Sequence, residues 1–401
     1  MNTQDIIALD KKYYMNTFGD RMQVVFEYGS NSTLYDKEGK AYTDFLGGIA
    51  VNVLGYGHPA LVEAVSAQLK KLIHCSNLFY IEAQAKLAQL LVQNSFGDRV
   101  FFANSGAEAN EGAIKLARKY YWNMGMNKYE IITTDNSFHG RTLATLAATG
   151  QEKYQKPFQP MPEGFKTVPY NDLEALEKAI DDKTSAVMIE LIQGEGGIIE
   201  AEYEYVKGLE RLCREKGILL IIDEVQTGMG RTGRLFAYQH YGIQPDIITL
   251  AKGLGGGIPI GAIIAREPVA SAFDPGSHGS TFGGNPLACS AGIAILSTIL
   301  QEDLIDRCAK LGDYFKGKLN DLKDKYKFIK DVRGKGLMLG MELDPSVSGK
   351  DIVNLAFERG FIINCTGYNT LRFVPPLIIT EKEINGLVCQ LDSIFNDISE
   401  V

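Results

Sequence analysis

Six short apolar segments, each rich in β-branched residues, alternate with helical segments between residues 99 and 266. The apolar segments are RVFFANS (99–105), YEIITTD (129–135), TSAVMIEL (184–191), GILLIIDEV (217–225), DIITLAKG (246–253) and GAIIAR (261–266). Helical periodicity predicts helices at 107–121, 173–180 and 205–216 between them. Such alternation is typical of a mainly parallel sheet with helices on both faces. Because ligands bind these sheets beyond the carboxyl ends of the strands, we expect the functional residues there.

The two ends of the chain have a different pattern from the middle. Short alternating strands separated by turn residues are predicted between residues 24 and 42, and a helix begins at Pro59. After a helix that follows Pro286, the last hundred residues combine helices with isolated strands. We therefore predict a large domain at 56–305 and a smaller α+β domain built from both chain ends, 1–55 and 306–401.

Composition excludes several functional classes. The chain carries 41 basic and 49 acidic residues, a formal charge of −8, which argues against nucleic acid or an anionic membrane as the main partner. Its six cysteines form no C-x-x-C pair and its five histidines no H-E-x-x-H, so neither a disulfide framework nor a metal site is expected. With no apolar leader or membrane-length apolar stretch, we expect a cytoplasmic protein.

Two ionisable residues stand at predicted strand ends. Asp223 follows the apolar run GILLII, where a carboxylate needs a cationic or hydrogen-donating partner. An aspartate that only caps the next turn is an equally good interpretation. Lys252 follows the strand DIITLA and precedes glycines at 253, 255, 256 and 257, which would let another molecule approach the backbone. A desolvated amine there could form an imine, although an ordinary loop lysine is the usual meaning of a Lys-Gly pair.

Two further turns could bind an anion or a ring. In RVFFANSGAEANEG a strand ends, Ser105 and Gly106 form a turn, and a helix begins, which is the arrangement of a phosphate site at a helix N-terminus. In DNSFHGRT, Phe138 offers a face to a planar ring and Arg141 a fork to a carboxylate. Taken alone, each motif is weak, since a core phenylalanine and a surface arginine are common.

One segment imitates dinucleotide binding. Residues 228–233, GMGRTG, match G-x-G-x-x-G after a strand and would indicate a nicotinamide-dependent dehydrogenase. However, Asp223 and Glu224 would place two negative charges near the pyrophosphate, and only a short helix precedes Pro245. We therefore treat the dehydrogenase as a remote alternative.

In its motifs the sequence resembles the class III aminotransferases of fold type I, over essentially the whole chain and in the same order. The matching stretches are YMNTFG near Tyr14, DFLGGIAVNVLGYGHP (44–59), SGAEANEGAIKLAR (105–118), SFHGRT (137–142), QGEGG (193–197), IIDEVQTGMGRTG (221–233), AKGLGGGIPIGA (251–262), HGSTFGGNPLAC (278–289) and LRFVPPL (371–377). The resemblance implies a fold type I transferase with a mainly parallel, seven-stranded type of sheet, and pyridoxal 5'-phosphate as cofactor.

The resemblance also implies roles for single residues. Lys252 would form the Schiff base and later move the proton, while Asp223 would pair with the pyridinium nitrogen. The remaining cofactor-binding residues would be Ser105, Gly106, Ala107, Phe138, Val225, Gln226 and Thr281. Among them, the N–H groups of Gly106 and Ala107 would bind the phosphate, Phe138 would stack on the ring, and Gln226 would contact its phenolic oxygen. Ser280 and Thr281 would reach the active site of the other subunit, which makes a homodimer the catalytic unit.

For the substrates, the resemblance implies two arginines and a glutamate. Arg141 would hold the carboxylate at the far end of an ω-amino donor, and Arg372 the α-carboxylate of 2-oxoglutarate. Glu195 would pair with Arg372 while the donor is bound and release it for the oxo acid.

The donor that the resemblance favours is N-acetylornithine. Succinylornithine, N-succinyl-diaminopimelate, ornithine and 4-aminobutyrate remain alternatives, and a non-catalytic binding protein is disfavoured because Lys252 and Asp223 are retained. Two positions depart from the family pattern: Leu191 stands where proline is common, and Ala107 where threonine is common. The second removes a hydroxyl near the phosphate but keeps the N–H.

Overall fold

The computed structural model describes residues 1–399, whose strands form one large sheet and three smaller ones. The strands are β1 (Phe26–Ser30), β2 (Thr33–Asp36), β3 (Ala41–Asp44), β4 (Arg99–Ala103), β5 (Glu130–Thr134), β6 (Phe165–Val168), β7 (Thr184–Ile189), β8 (Ile192–Gln193), β9 (Ile199–Glu200), β10 (Leu219–Asp223), β11 (Ile247–Leu250), β12 (Gly261–Ala265), β13 (Ile329–Lys335), β14 (Met338–Leu343), β15 (Phe361–Ile362), β16 (Asn364–Thr366) and β17 (Thr370–Phe373).

Helices connect and cover these strands. They are α1 (Thr3–Tyr13), α2 (Gly47–Ala50), α3 (Pro59–Lys71), α4 (Glu82–Gln93), α5 (Gly106–Asn123), α6 (Leu143–Ala148), α7 (Glu152–Gln155), α8 (Leu173–Ala179), α9 (Tyr203–Lys216), α10 (Glu267–Ala270), α11 (Pro286–Gln301), α12 (Leu304–Lys325), α13 (Gly349–Glu358) and α14 (Glu381–Ser399). Short 3-10 turns occupy Lys156–Phe158, Ala237–His240 and Lys252–Leu254.

The large sheet has seven strands in the order β4-β12-β11-β10-β7-β5-β6. All neighbouring pairs are parallel except the two that β12 makes, with β11 and with β4. The predicted mainly parallel, helix-covered sheet is therefore confirmed, with the six predicted strands at β4, β5, β7, β10, β11 and β12. The prediction missed β6, whose four residues FKTV carry too little apolar sequence to stand out.

The topology brings the chain ends together at the smaller sheets. Strand β15, near the C-terminus, pairs in parallel with β3, so one sheet has the order β1-β2-β3-β15. A second antiparallel sheet, in the order β13-β14-β17-β16, lies wholly in the C-terminal part. The predicted domain boundaries at residues 55 and 305 stay predictions.

Caps and turn residues explain where several helices begin and end. Ser105 precedes α5 and its hydroxyl accepts the Glu108 N–H at 3.2 Å, while Asn285 caps α11 in the same way. Helix α9 ends at Gly217, whose φ of +59° suits glycine.

Among residues 1–399 no single helix is long and apolar enough to span a membrane; only α11 and α12, bent by 68° between them, pass the length and composition criteria as a pair.

Two glycines of α12 give a matched test of the packing. A Cβ on the buried Gly312 would lie 2.3 Å from the Gly336 carbonyl oxygen, whereas a Cβ on the exposed Gly317 meets nothing within 4 Å. We expect Gly312→Ala to lower the free energy of unfolding by about 1–3 kcal/mol, because backbone must move. Gly317→Ala should raise it by roughly 0.5–1 kcal/mol, since alanine favours the helix. Chemical denaturation of both variants measures the difference, and equal effects would contradict the packing described.

Candidate active site

Loops at the carboxyl ends of β4, β5, β7, β10 and β11 surround a cavity of about 400 Å³. This is the edge of the sheet where the sequence placed the functional residues. The predicted site residues that line the cavity are Ser105, Gly106, Ala107, Phe138, Arg141, Asp223, Val225, Gln226 and Lys252. Segments separated by more than 140 residues in the sequence thus meet at one site.

Asp223 lies at the end of β10 and is buried. Its Oδ2 accepts hydrogen bonds from Asn110 Nδ2 and His139 Nδ1, both at 2.8 Å, and its Oδ1 accepts the Val225 N–H at 2.9 Å. Burial opposes protonation of His139, but the hydrogen bond and charge of Asp223 outweigh it and raise the pKa of His139. The structure therefore supplies the partners that a buried carboxylate needs.

Lys252 follows β11 and lies in the same cavity as Asp223. Burial lowers the pKa of its amine, Arg372 acts in the same direction, and the charge of Glu195 opposes both. Its backbone is left-handed, with a φ of +43°, a conformation that residues other than glycine and asparagine seldom adopt. Such local strain is typical of functional residues, and a lysine of lowered pKa is a better nucleophile at neutral pH.

The start of α5 forms one end of the cavity. Gly106 and Ala107 are the first residues of this helix, so their N–H groups have no intrahelical acceptor, whereas Ser105 caps the third. A Cβ on Gly106 would lie 2.8 Å from Val225 Cγ1, so only glycine fits at this turn. Free N–H groups at the positive end of an 18-residue helix suit a phosphate.

Phe138 and Arg141 lie on the wall and the rim of the cavity. The Arg141 guanidinium is 3.9 Å from the centre of the Tyr154 ring and 5.5 Å from that of Phe138. Arg141 is exposed, and within residues 1–399 no hydrogen bond to its guanidinium is formed. Its N–H groups are thus available to an anionic ligand.

Arg372 and Glu195 form an ion pair next to the cavity. Arg372 Nη1 lies 2.5 Å from Glu195 Oε1, and it also contacts Gln226 Oε1 at 3.3 Å. The arginine side chain is 1% exposed and the glutamate 29%. Burial would raise the pKa of Glu195, but the charge and hydrogen bond of Arg372 lower it, so the pair is charged at neutral pH. Arg372 thus differs from Arg141 in being already occupied.

Ser280 and Thr281 are not brought to this cavity within one chain. Ser280 Oγ accepts from Asn104 Nδ2 at 3.0 Å, and Thr281 is exposed. Their predicted contact with the site of a second subunit remains a prediction.

The sequence predicts that the four glycines after Lys252 let another molecule approach the backbone. Three of them contact the protein itself instead. A Cβ on Gly255 would lie 1.9 Å from the Ile258 carbonyl oxygen, and those on Gly253 and Gly256 would meet side chains of the protein itself. Only Gly257, with a φ of +110°, lines the cavity. That expectation was therefore wrong for 253, 255 and 256, which are small because the chain packs tightly there.

The GMGRTG segment is also occupied by protein. Arg231 is buried and donates from Nη1 to the Leu337 and Pro375 carbonyl oxygens, and a Cβ on Gly233 would lie 2.9 Å from Ala309 Cβ. Gly230 and Gly233 pack against residues that lie after 298, and Gly228 packs against Glu224 and Leu250, which leaves no room for a dinucleotide on them.

Sequence reasoning gave no role to Asn110, His139 and Glu190, which the structure places around Asp223. Glu190 follows β7 and lines the cavity; its Oε2 accepts the Phe138 N–H at 2.9 Å. Burial raises the pKa of Glu190 to about 7, with the charge of His139 opposing and that of Asp223 assisting. The available signal was a carboxylate directly after the largely apolar run AVMI, which must find partners once it is buried.

The sequence profile of the family described as Aminotransferase class-III matches residues 14–395. The acetylornithine aminotransferase of Caldanaerobacter subterraneus subsp. tengcongensis is 55% identical over 394 residues, which cover 98% of this chain and 100% of that protein.

Solved structures agree in fold. Ornithine aminotransferase from Toxoplasma gondii, in a structure described with partial occupancy of PLP at the active site, superposes with a TM-score of 0.95 at 34% identity, covering 100% of this chain and 95% of that one. The acetylornithine aminotransferase from Elizabethkingia anophelis has a TM-score of 0.88 at 34% identity, covering 99% and 100%.

Glu224, the neighbour of Asp223, gives a pH test of the buried site. Burial raises its pKa from 4.5 to about 7, so the folded state keeps a proton that the unfolded state loses. Stability contributed by this proton is present below about pH 4.5 and is lost as pH rises towards 7, by about 3 kcal/mol in total. We expect the unfolding free energy of Glu224→Gln to lack this decline, so that the variant gains stability relative to the parent as pH rises from 5 to 8. Denaturation at pH 5, 6, 7 and 8 measures it, and parallel profiles would contradict the burial.

Proposed function

The chain belongs to the class-III aminotransferases, pyridoxal-phosphate enzymes, and on that premise we propose that it is an acetylornithine aminotransferase. It would transfer the δ-amino group of N2-acetylornithine to 2-oxoglutarate, giving N-acetylglutamate 5-semialdehyde and glutamate, a step of arginine biosynthesis in the cytoplasm. The observation that carries the proposal is one cavity that holds the Lys252 amine, the Asp223 carboxylate and the start of α5, beside the Glu195–Arg372 pair.

The residues present fit pyridoxal phosphate. The free N–H groups of Gly106 and Ala107 suit its phosphate, the apolar surfaces of Phe138 and Val225 suit its ring, and Asp223 suits a protonated ring nitrogen. When bound, this group supplies an electron sink for the carbon that loses a proton.

In the proposed reaction the chain's own groups hold the cofactor, orient the substrates and move the proton. Lys252 would bind the cofactor covalently, and once displaced by substrate its amine, with a pKa lowered by burial, would take a proton at one carbon and return it at another. Asp223 would hold the ring nitrogen in its protonated form by its charge, and Asn110 and His139 fix the carboxylate at 2.8 Å each.

The two arginines suit two substrates of different charge. Within residues 1–399 the Arg141 guanidinium donates no hydrogen bond, and it would bind the α-carboxylate of the donor, at the far end from the reacting amine. Arg372 is neutralised by Glu195 and would bind 2-oxoglutarate only after Glu195 turns away. One pocket could then accept both substrates. The donor has no carboxylate next to its reacting amine, whereas 2-oxoglutarate has one next to its reacting carbonyl.

We propose that the active unit is a homodimer. Asn77 Nδ2 donates to the Ser280 and Gly283 carbonyl oxygens, both at 3.0 Å, and so joins two surface segments. Around this junction lie large exposed apolar side chains, those of Leu78, Phe79, Tyr80 and Phe282. Contiguous apolar surface favours a protein partner, and a second copy would bring Ser280 towards the other site's substrate and Thr281 towards its phosphate.

Lys252→Ala tests the cofactor assignment. We expect purified protein to be yellow and to lose its visible absorbance band in this variant, while the exposed Lys350→Ala keeps it. Borohydride reduction of the parent should add a pyridoxyl mass to the peptide that contains residue 252.

With 2-oxoglutarate as acceptor, kcat/KM should be highest for N-acetylornithine among the five donors named above. A higher value for ornithine, 4-aminobutyrate or a succinylated donor would replace the proposed substrate while leaving the enzyme class intact.

A hybrid dimer tests the shared site. Lys252→Ala and Thr281→Asp should each be inactive alone, the second because a carboxylate repels the phosphate of the neighbouring site. In a hybrid, one site carries both changes and the other none, so an equal mixture refolded together should recover about a quarter of parental activity, from statistical pairing. Recovery of none would indicate that Thr281 acts within its own chain.

A further inference from the structure

The loop that carries Glu195 is rich in glycine. Between β8 and β9 it reads Gly-Glu-Gly-Gly-Ile, residues 194–198, so three glycines surround the one glutamate. Gly197 and Ile198 both have positive φ, +108° and +56°. A chain of this kind has many backbone conformations in isolation, and its position must come from contacts.

Those contacts come from the sheet formed by β13, β14, β17 and β16. The Glu195 carbonyl oxygen accepts from Thr366 Oγ1 at 3.0 Å and from the Gly367 N–H at 3.2 Å. Arg333 donates from Nη2 and Nε to the Gly197 carbonyl oxygen, at 2.8 and 3.1 Å. Its Nε also lies 3.2 Å from the Ile198 carbonyl oxygen. One guanidinium therefore holds two consecutive carbonyls of the loop.

Arg333 is itself held firmly. Its Nη1 contacts Asp331 at 3.2 Å on its own strand and Glu342 on the neighbouring strand, and Nη2 lies 3.3 Å from Thr370 Oγ1. The side chain is only 15% exposed. A planar guanidinium with all its donor groups used has little freedom, so it can act as a fixed support.

We infer that Arg333 is a positioning residue of the substrate switch: by fixing the loop backbone on the small sheet, it sets the point from which Glu195 reaches Arg372. Exchange of substrates then requires only rotation of the Glu195 side chain. The inference rests on the proposed function and deepens it, because a residue remote from the cavity wall would help to determine the choice between donor and glutamate. Arg333 acts through Glu195 and touches no substrate.

The experiment measures two half-reactions of the purified holoenzyme in single turnovers: conversion by N-acetylornithine, and conversion by glutamate. We expect Glu195→Ala to raise the ratio of the glutamate rate to the donor rate, because Arg372 becomes free. Arg333→Met should raise the same ratio by about tenfold, since a small displacement of Glu195 weakens its pairing. Arg333→Lys keeps a positive charge near Asp331 but cannot bridge two carbonyls, so it should raise the ratio too. This variant replaces Arg333→Met in the test if the methionine variant does not fold.

The matched control is Lys335→Met. Lys335 lies on the same strand two residues further on and pairs with Glu200 at 2.9 Å, without bonding to the loop carbonyls. It should leave the ratio within about twofold of the parent.

A double variant separates positioning from general damage. With Glu195 already replaced by alanine, Arg333→Met should change the ratio no further, because it acts only through Glu195. An unchanged ratio in both Arg333 variants, or an effect that adds fully to that of Glu195→Ala, would overturn the inference. Failure of the proposed function looks different, because the parent itself would then not react with N-acetylornithine.

Discussion

The burial of Asp223 is the interaction on which the rest of this site depends. An isolated carboxylate at the end of a buried strand would cost several kcal/mol, and its partners must come from elsewhere in the chain. Asn110 comes from α5 and His139 from the loop after β5, so the carboxylate ties together the helix whose N-terminus suits a phosphate and the loop that presents Phe138. The same atoms that stabilise the charge therefore connect α5 to the loop that presents Phe138.

The sequence was most informative where the physics is local. A polar residue directly after an apolar strand of a parallel sheet lies at the ligand-binding edge, which is why the sequence alone predicts the positions of Asp223, Lys252 and the Ser105–Gly106 turn. Strand β6 was missed because four residues of mixed polarity carry no periodicity. The sequence gives no indication of a role for Asn110, His139 and Glu190. Their role depends on contacts with residues far away in the chain, and a single sequence does not reveal such contacts.

The glycines show the same limit in another form. A glycine after a strand is compatible with an approaching ligand or with an approaching piece of backbone, and only the fold distinguishes the two. Around Lys252 the neighbour is mostly the protein itself, as at Gly255, whereas a Cβ on Gly257, which lines the cavity, would meet protein no nearer than 3.6 Å. Ser280 and Thr281, which the resemblance assigns to the site of a second subunit, do not line the cavity of their own chain.

The left-handed backbone of Lys252 has a consequence for engineering. A lysine in that conformation costs about 1 kcal/mol relative to a residue that tolerates it, and the surrounding packing must absorb this cost. Glycine or asparagine would relieve it but remove the amine. Selection for thermal stability alone would therefore favour replacement of Lys252, so a library built to stabilise this protein should keep the lysine at residue 252.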